Sequence, residues 1–285
     1  MVLFLDLLRS VIYGVIEGIT EWLPISSTGH MILAEQVLKF SFSAEFMEMF
    51  RVVIQLGAIL AVVVMYFKKL WPFCVDNGRD SGLAKHVRWP VMRLWFKIIV
   101  ACLPAAVLGL ALDDWIDAHF YNSVVVAVML IVYGIAFILI ERRPRVPTTT
   151  KLSRITYKQA LIVGAWQVLA LIPGTSRSGS TIIGGLLCGM SRPAASQFTF
   201  FLAIPVMFGA SALKMVKFGF HYTGAEILIL VVGMVTAFIV SVLSIKFLMR
   251  YIKTNDFKAF GWYRIVLGII VLIYLFMVGD PTAND

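Results

Sequence analysis

YKQALIVGAWQVLALIPGTSRSGSTIIGGLLCGM, residues 157–190, is the stretch whose path through the membrane sets the architecture of the chain. It begins as an apolar run, breaks at Pro173 and Gly174, passes a set of hydroxyls around Arg177, and resumes as an apolar run. Lipid offers no partners to bare backbone or hydroxyl groups, so irregular polar chain at membrane depth is tolerated only inside protein or along a wet cavity. An arginine in that setting is functional by default, and the stretch reads as an anion site. If residues 157–190 cross the membrane once, the loop carrying Lys246, Arg250, Lys253 and Lys258 lies outside. If they dip in and return as a helix–break–helix hairpin, that basic loop falls inside and only Lys214 and Lys217 lie outside. Basic residues favour the cytoplasmic face, which selects the re-entrant path.

A second such stretch, EGITEWLPISSTGH at residues 17–30, lies 150 positions earlier. At that offset Gly14 meets Gly164, Glu17 meets Gln167, Ser26 meets Ser176, Thr28 meets Ser178 and Gly29 meets Gly179. Paired Gly/Pro-interrupted apolar segments at matching positions point to two diverged copies of one unit with a binding site between them. Each copy then supplies one re-entrant helical hairpin and three crossings, and an odd number of crossings inverts the second copy. The expected fold is an all-α polytopic membrane protein with an inverted-topology repeat. It forms a single membrane domain over residues 1–285, with repeat 1 at about 1–141 and repeat 2 at about 155–279.

Composition agrees: 60% of residues are hydrophobic and 14% charged, which leaves no sizeable soluble domain. Apolar runs near residues 2–16, 50–67, 94–112, 123–140, 159–172, 197–213, 225–245 and 261–278 approach the roughly 20 residues that span a bilayer. The first run has no basic residue before it and no small-residue cleavage site after it, so it is expected to be retained. Cys74, Cys102 and Cys188 are odd in number and imply packing rather than a disulfide framework. The net charge of +9 comes from residues beside membrane ends and signals topology, not nucleic acid. Residues 68–93, with Lys68, Lys69, Arg79, Lys85, Arg88 and Arg93, are expected inside. So are residues 141–158, with Arg142, Arg143, Arg145, Lys151, Arg154 and Lys158. The turn holding Asp113, Asp114, Asp117 and His119 is expected outside.

The two stretches carry the chemistry. Glu17 and Glu21 are one turn apart on a helix face, so their repulsion has to be relieved by a proton or a cation. Mg²⁺ and Ca²⁺ both prefer such carboxylates and bridge to phosphate. Pro24 ends the first helix, and Ser26, Ser27 and Thr28 can cap the helix that resumes at His30. A helix amino terminus also offers free N–H groups and a positive dipole end to phosphate. His30 is read as a general acid/base, with a structural bond to a backbone carbonyl as the alternative. Arg177 can bind phosphate through its planar fork. Ser176, Ser178, Ser180 and Thr181 cap the following helix, and Gly174 and Gly179 let backbone approach a ligand. The spacing Gly174-x4-Gly179-Ser180-Thr181 grazes a nucleotide P-loop, but Ser180 stands where that loop needs lysine, which excludes an NTPase. Arg51 and Gln55 share a face and either line the cavity or pair locally. His86, His119 and His221 fall in loops and carry no chemistry.

Glu17-x-x-x-Glu21 with Pro24-x-Ser26-Ser27-Thr28-Gly29-His30, and Pro173-Gly174-x-Ser176-Arg177-Ser178-Gly179-x-Thr181, resemble the paired motifs of the bacterial undecaprenyl-diphosphate phosphatase family of the bacitracin-resistance type. The resemblance runs from the first apolar segment to about Phe276. It implies hydrolysis of a C55 polyprenyl diphosphate to its monophosphate, recycling the carrier lipid of peptidoglycan synthesis, in a bacterial inner membrane. Glu17, Glu21, Ser27, His30 and Arg177 are then the catalytic candidates. Ser26, Thr28, Gly174, Thr175, Ser176, Ser178, Gly179 and Thr181 are the substrate-binding candidates, and Glu17 and Glu21 the holders of a divalent cation, Mg²⁺ or Ca²⁺. Attack comes from Ser27, with Glu21 or His30 taking its proton, or from activated water. Leu171 stands where repeat 1 has its second acid, so one asymmetric site is implied, opening to the periplasm. The competing class is a lipid flippase or anion transporter, since inverted repeats are transporter architecture. A carrier, however, needs no acid pair, histidine and hydroxyl cluster in one place. A homo-oligomer stays open.

Overall fold

The computed structural model describes residues 2–75, 85–120, 122–142, 146–219 and 221–278. Arg79, Arg143 and Arg145, three of the cations assigned to the inner face, lie outside the described residues. The described chain is helical apart from its turns: α1 (Val2–Thr20), α2 (Ser27–Val37), α3 (Ala44–Met65), α4 (Phe67–Leu70), α5 (Trp89–Phe120), α6 (Ser123–Arg142), α7 (Tyr157–Val168), α8 (Arg177–Leu187), α9 (Arg192–Phe218), α10 (Gly224–Tyr251) and α11 (Lys258–Val278). Among the described residues, six helices are long and apolar enough to cross a bilayer: α3, α5, α6, α9, α10 and α11.

The order helix, break, helix, three long helices occurs twice, with the single turn α4 as an extra between α3 and α5. Helical bonding in the first unit persists to Leu23 N–H on Ile19 O at 3.4 Å and ends at Pro24, which has no N–H to continue it. In the second, a capping box of Thr156 and Gln159 starts α7. A 3₁₀ turn, Leu169–Leu171, then tightens its end before Pro173. In each unit the chain after the second helix packs back on the first helix or the segment ahead of it. Tyr13 of α1 meets Phe40 beyond α2 with ring centroids 5.3 Å apart. Thr149, ahead of α7, bonds Gly189 O beyond α8 at 3.1 Å.

The main helix contacts join the two units to each other: α1 lies on α10, α7 on α5, α3 on α9 and α6 on α11. Small residues make these approaches close. A Cβ on Gly14 would stand 2.7 Å from Gly233 O of α10, and one on Gly134 of α6 would stand 2.6 Å from Gly261 O of α11. At one end of the bundle Glu141 of α6 takes two bonds from Arg192 of α9, at 2.8 and 2.5 Å, and one from the N–H of Phe257 beside α11. At the other end Lys214 of α9 pairs with Glu48 of α3.

Two expectations are corrected here. The turn expected at Asp113–His119 is the last part of α5, because Leu110 to Phe120 contains no glycine or proline to stop it. His119 therefore lies on a helix, where its Nδ1–H bonds Trp115 O at 2.8 Å, and not in a loop. The helix after the first break resumes at Ser27, three residues before His30. Arg51 adopts the local alternative and pairs with Glu35. All three cysteines are free and partly buried, as packing residues would be.

Candidate active site at the junction of two helix breaks

The two breaks touch. Ser178 Oγ of the second donates to Leu23 O of the first at 3.4 Å, and Arg177 Nη2 donates to Glu21 Oε1 at 2.8 Å. Ser27 Oγ donates to the other oxygen of the same carboxylate, Glu21 Oε2, at 3.0 Å. Ser27 and Arg177 are each the first residue of the helix that follows a break, 150 positions apart. Matching positions of the two units thus deliver a hydroxyl and a guanidinium to one carboxylate. Arg177 is anchored from behind by Nη1 on Thr199 O at 3.0 Å, and the pair is well shielded, with side chains 12% and 6% exposed.

Each break is shaped by a serine with an unusual backbone. Ser26 has φ 75° and ψ 103°, Ser176 φ 72° and ψ 118°, the only non-glycine residues with positive φ among those described. Such conformations cost on the order of 1–3 kcal/mol and persist only where the surroundings impose them. Both serines cap the next helix, accepting from the N–H of Gly29 at 3.4 Å and of Gly179 at 3.1 Å. The caps are therefore single residues. Ser27, Ser178, Ser180 and Thr181, expected to share that role, bond elsewhere: Ser180 to Trp166 O, and Thr181 to Arg177 O at 2.8 Å. Thr28 sits half-buried in the first turn of α2. Gly174 has φ 86°, and a Cβ there would meet Val126 of α6, so conformation and space both demand glycine.

His30 takes the position of the structural alternative. Its Nδ1–H donates to Ser26 O at 2.7 Å, which leaves Nε2 of the neutral ring to accept from the Tyr263 hydroxyl, also at 2.7 Å. Glu21, not His30, accepts the hydrogen bond of the Ser27 hydroxyl. The residue matching His30, Ser180, meets Tyr133 at 3.3 Å, so each break is backed by a tyrosine from the last helix of a unit.

Several buried polar atoms here have no protein partner: Glu17 Oε1, Arg177 Nε, Thr175 Oγ1 and both amide atoms of Gln167. A buried polar group without a hydrogen bond costs roughly 1–3 kcal/mol, so this spare capacity is what a site for a polar ligand would have. The Glu17 oxygen fits a hard divalent cation, which commonly takes one or two protein carboxylates and completes its shell with water and phosphate. Among the described residues no group of three or more His, Cys, Asp or Glu side chains converges.

Sequence reasoning missed Arg264 and Tyr263 of α11. Arg264 is completely buried and makes five hydrogen bonds to main-chain carbonyls, among them Pro24 O at 3.3 Å in the first break and Gly174 O at 2.9 Å in the second. The signal was available: Arg264 is a charge inside the apolar run 261–278 and carries the same functional presumption as Arg177.

Residues 10–270 match the family model described as bacitracin resistance protein BacA. The undecaprenyl-diphosphatase of Desulfitobacterium hafniense is 61% identical over 275 residues, covering 94% of this chain and 96% of that one. That of Enterococcus faecalis is 58% identical over 272 residues, 95% and 97% of the two chains. That of Acetivibrio thermocellus is 55% identical over 276 residues, 96% and 99%. Similarity at this level over both full lengths, with the two breaks inside the matched region, decides the matter: the chain belongs to the BacA family of bacitracin resistance proteins.

Proposed function

We propose that this chain is a multi-pass membrane hydrolase that converts undecaprenyl diphosphate to undecaprenyl phosphate and inorganic phosphate, recycling the carrier lipid of peptidoglycan synthesis and so conferring resistance to bacitracin. The carrying observation is the convergence of Ser27 and Arg177 on the two oxygens of Glu21. Arg177 receives the terminal phosphate, helped by the amino ends of α2 and α8 and the free hydroxyl of Thr175. Ser27 Oγ attacks the terminal phosphorus while Glu21 Oε2 takes its proton. The bond to the bridging oxygen breaks and the lipid monophosphate leaves with the electron pair. Water then cleaves the serine–phosphate bond, its hydrogens leaving with inorganic phosphate, and Ser27 regains the proton held by Glu21.

Glu17 and Glu21 would hold a Mg²⁺ or Ca²⁺ ion, which when bound neutralises phosphate charge in the transition state. Glu17→Gln should shift the divalent-cation dependence of phosphate release to higher concentration, since an amide is a poorer ligand for a hard cation. Turnover measured across a cation titration in chelator-treated protein checks this, and superimposable curves for variant and wild type would place the ion elsewhere.

We read the two helix–break–helix units as re-entrant hairpins of an inverted repeat, residues about 1–141 and 155–279, in the bacterial inner membrane. Three observations support it: the repeated element order, the matching positive-φ serines, and the packing of the chain after each second helix back on the first helix or the segment ahead of it. The ends of α3, α6 and α10 with the starts of α5, α9 and α11 gather the basic residues, and we assign that end to the cytoplasm and the opening of the site to the periplasm. In a background without the three native cysteines, Lys253→Cys should resist a membrane-impermeant thiol reagent in intact cells, while Lys217→Cys is labelled. Labelling at 253 from outside would overturn the re-entrant second unit.

A further inference from the structure

The BacA reading accounts for Glu21, Ser27 and Arg177 but leaves a fully buried arginine without a task. Arg264 lies on the face of α11 that carries Gly261 and Gly268, and those glycines bring α11 so close to α6 that a Cβ on either would meet α6 backbone, at Gly134 O and Ala127 O. The guanidinium is held in that seam. Its Nε and Nη2 donate to Leu130 O and Met129 O of α6 at 3.4 and 3.3 Å, and it lies 5.5 Å from the Tyr133 ring centre. The remaining bonds reach across to both breaks: Nη1 to Pro24 O at 3.3 Å, and Nη2 to Gly174 O and Thr175 O at 2.9 and 3.0 Å. Among the described residues it has no ion-pair partner, so its charge is balanced by carbonyl dipoles and the face of the Tyr133 ring.

Three consequences follow from that geometry. The carbonyls of two breaks that are far apart in sequence are tied to one rigid fork, which fixes the Ser27-bearing break against the Arg177-bearing break. In a trans peptide the C=O and the following N–H point in opposite directions, so anchoring Thr175 O turns the Ser176 N–H away from Arg264, at the amino end of α8. A Cβ on Gly179 would stand 3.3 Å from Nη1, so the charge also lies directly beneath the first turn of α8, where it adds to the positive dipole end.

We propose that Arg264 is a positioning residue of the phosphatase reaction: without touching substrate, it clamps the two breaks in register and supplies a fixed positive charge behind the phosphate site. This rests on the reading that the junction of the breaks is the active site. Rigid placement of reacting groups acts on the chemical step, whereas affinity for a C55 lipid is dominated by its tail in the membrane.

The test is steady-state hydrolysis of undecaprenyl diphosphate by purified Arg264→Lys and Arg264→Gln in detergent, with thermal unfolding of each followed in parallel. An ammonium keeps the charge and up to three donors without the fork, while the amide keeps two donors and no charge. We expect kcat to fall at least tenfold in Arg264→Lys and at least a hundredfold in Arg264→Gln, with KM within threefold of wild type in both. Wild-type kcat in either folded variant, or a loss that falls on KM, overturns the proposal. So does failure of both variants to yield monodisperse protein, because the residue then serves the fold itself. Arg177→Lys assayed alongside separates the two ideas. Near-normal turnover there defeats the active-site reading, whereas an inactive Arg177→Lys with an active Arg264→Gln defeats only the role of Arg264.

Discussion

Ser27→Ala lowers turnover by about a thousandfold or more in folded protein, because water has to replace an oxygen already positioned for attack. Intramolecular positioning of that kind is worth up to about 7–11 kcal/mol. The structure sharpens the contrast with a purely structural serine. The cap of α2 is Ser26, so removing the Ser27 hydroxyl costs only its bond to Glu21. Such a bond to a charged group contributes about 1.5–3 kcal/mol of stability and leaves the helix start intact. Turnover of monodisperse Ser27→Ala within tenfold of wild type would remove serine from the chemistry and give the attack to water.

Arg177→Lys is expected to lose at least a hundredfold in kcat/KM although the charge is retained. The guanidinium reaches Thr199 O with one nitrogen and Glu21 with the other, and a single ammonium cannot span both and still face a phosphate. Losing two charge-assisted bonds at about 1.5–3 kcal/mol each corresponds to a factor of roughly a hundred to ten thousand. Phosphate release by the folded variant checks it, and near-normal turnover would reduce Arg177 to a structural cation.

The parts of the site that were legible in the sequence are those with a chemical signature at short range. Pro24, Pro173 and Gly174 announce breaks, the i, i+4 spacing of Glu17 and Glu21 puts two acids on one helix face, and the 150-residue offset pairs the two stretches. The six long apolar helices follow from hydropathy for the same reason. What the sequence withheld is which groups meet across elements. The offset aligns Ser27 with Arg177, yet only the packed structure brings both to Glu21. His30 looked like a free base until Ser26 O and Tyr263 claimed both of its nitrogens. Ser26 and Ser176 gave no hint of positive φ, since serine rarely adopts it and the surroundings impose it. Arg264 was visible as an intramembrane charge, but its partners are backbone carbonyls, which no side-chain motif encodes.

The most direct measurement is hydrolysis of undecaprenyl diphosphate by purified wild-type protein in ¹⁸O-enriched water, with both products analysed by mass spectrometry. Attack at the terminal phosphorus, whether the phosphoryl group passes through Ser27 or not, places one ¹⁸O in inorganic phosphate and none in undecaprenyl phosphate. Label in the lipid phosphate, or no phosphate release from folded protein supplied with Mg²⁺ or Ca²⁺, would contradict the proposed reaction.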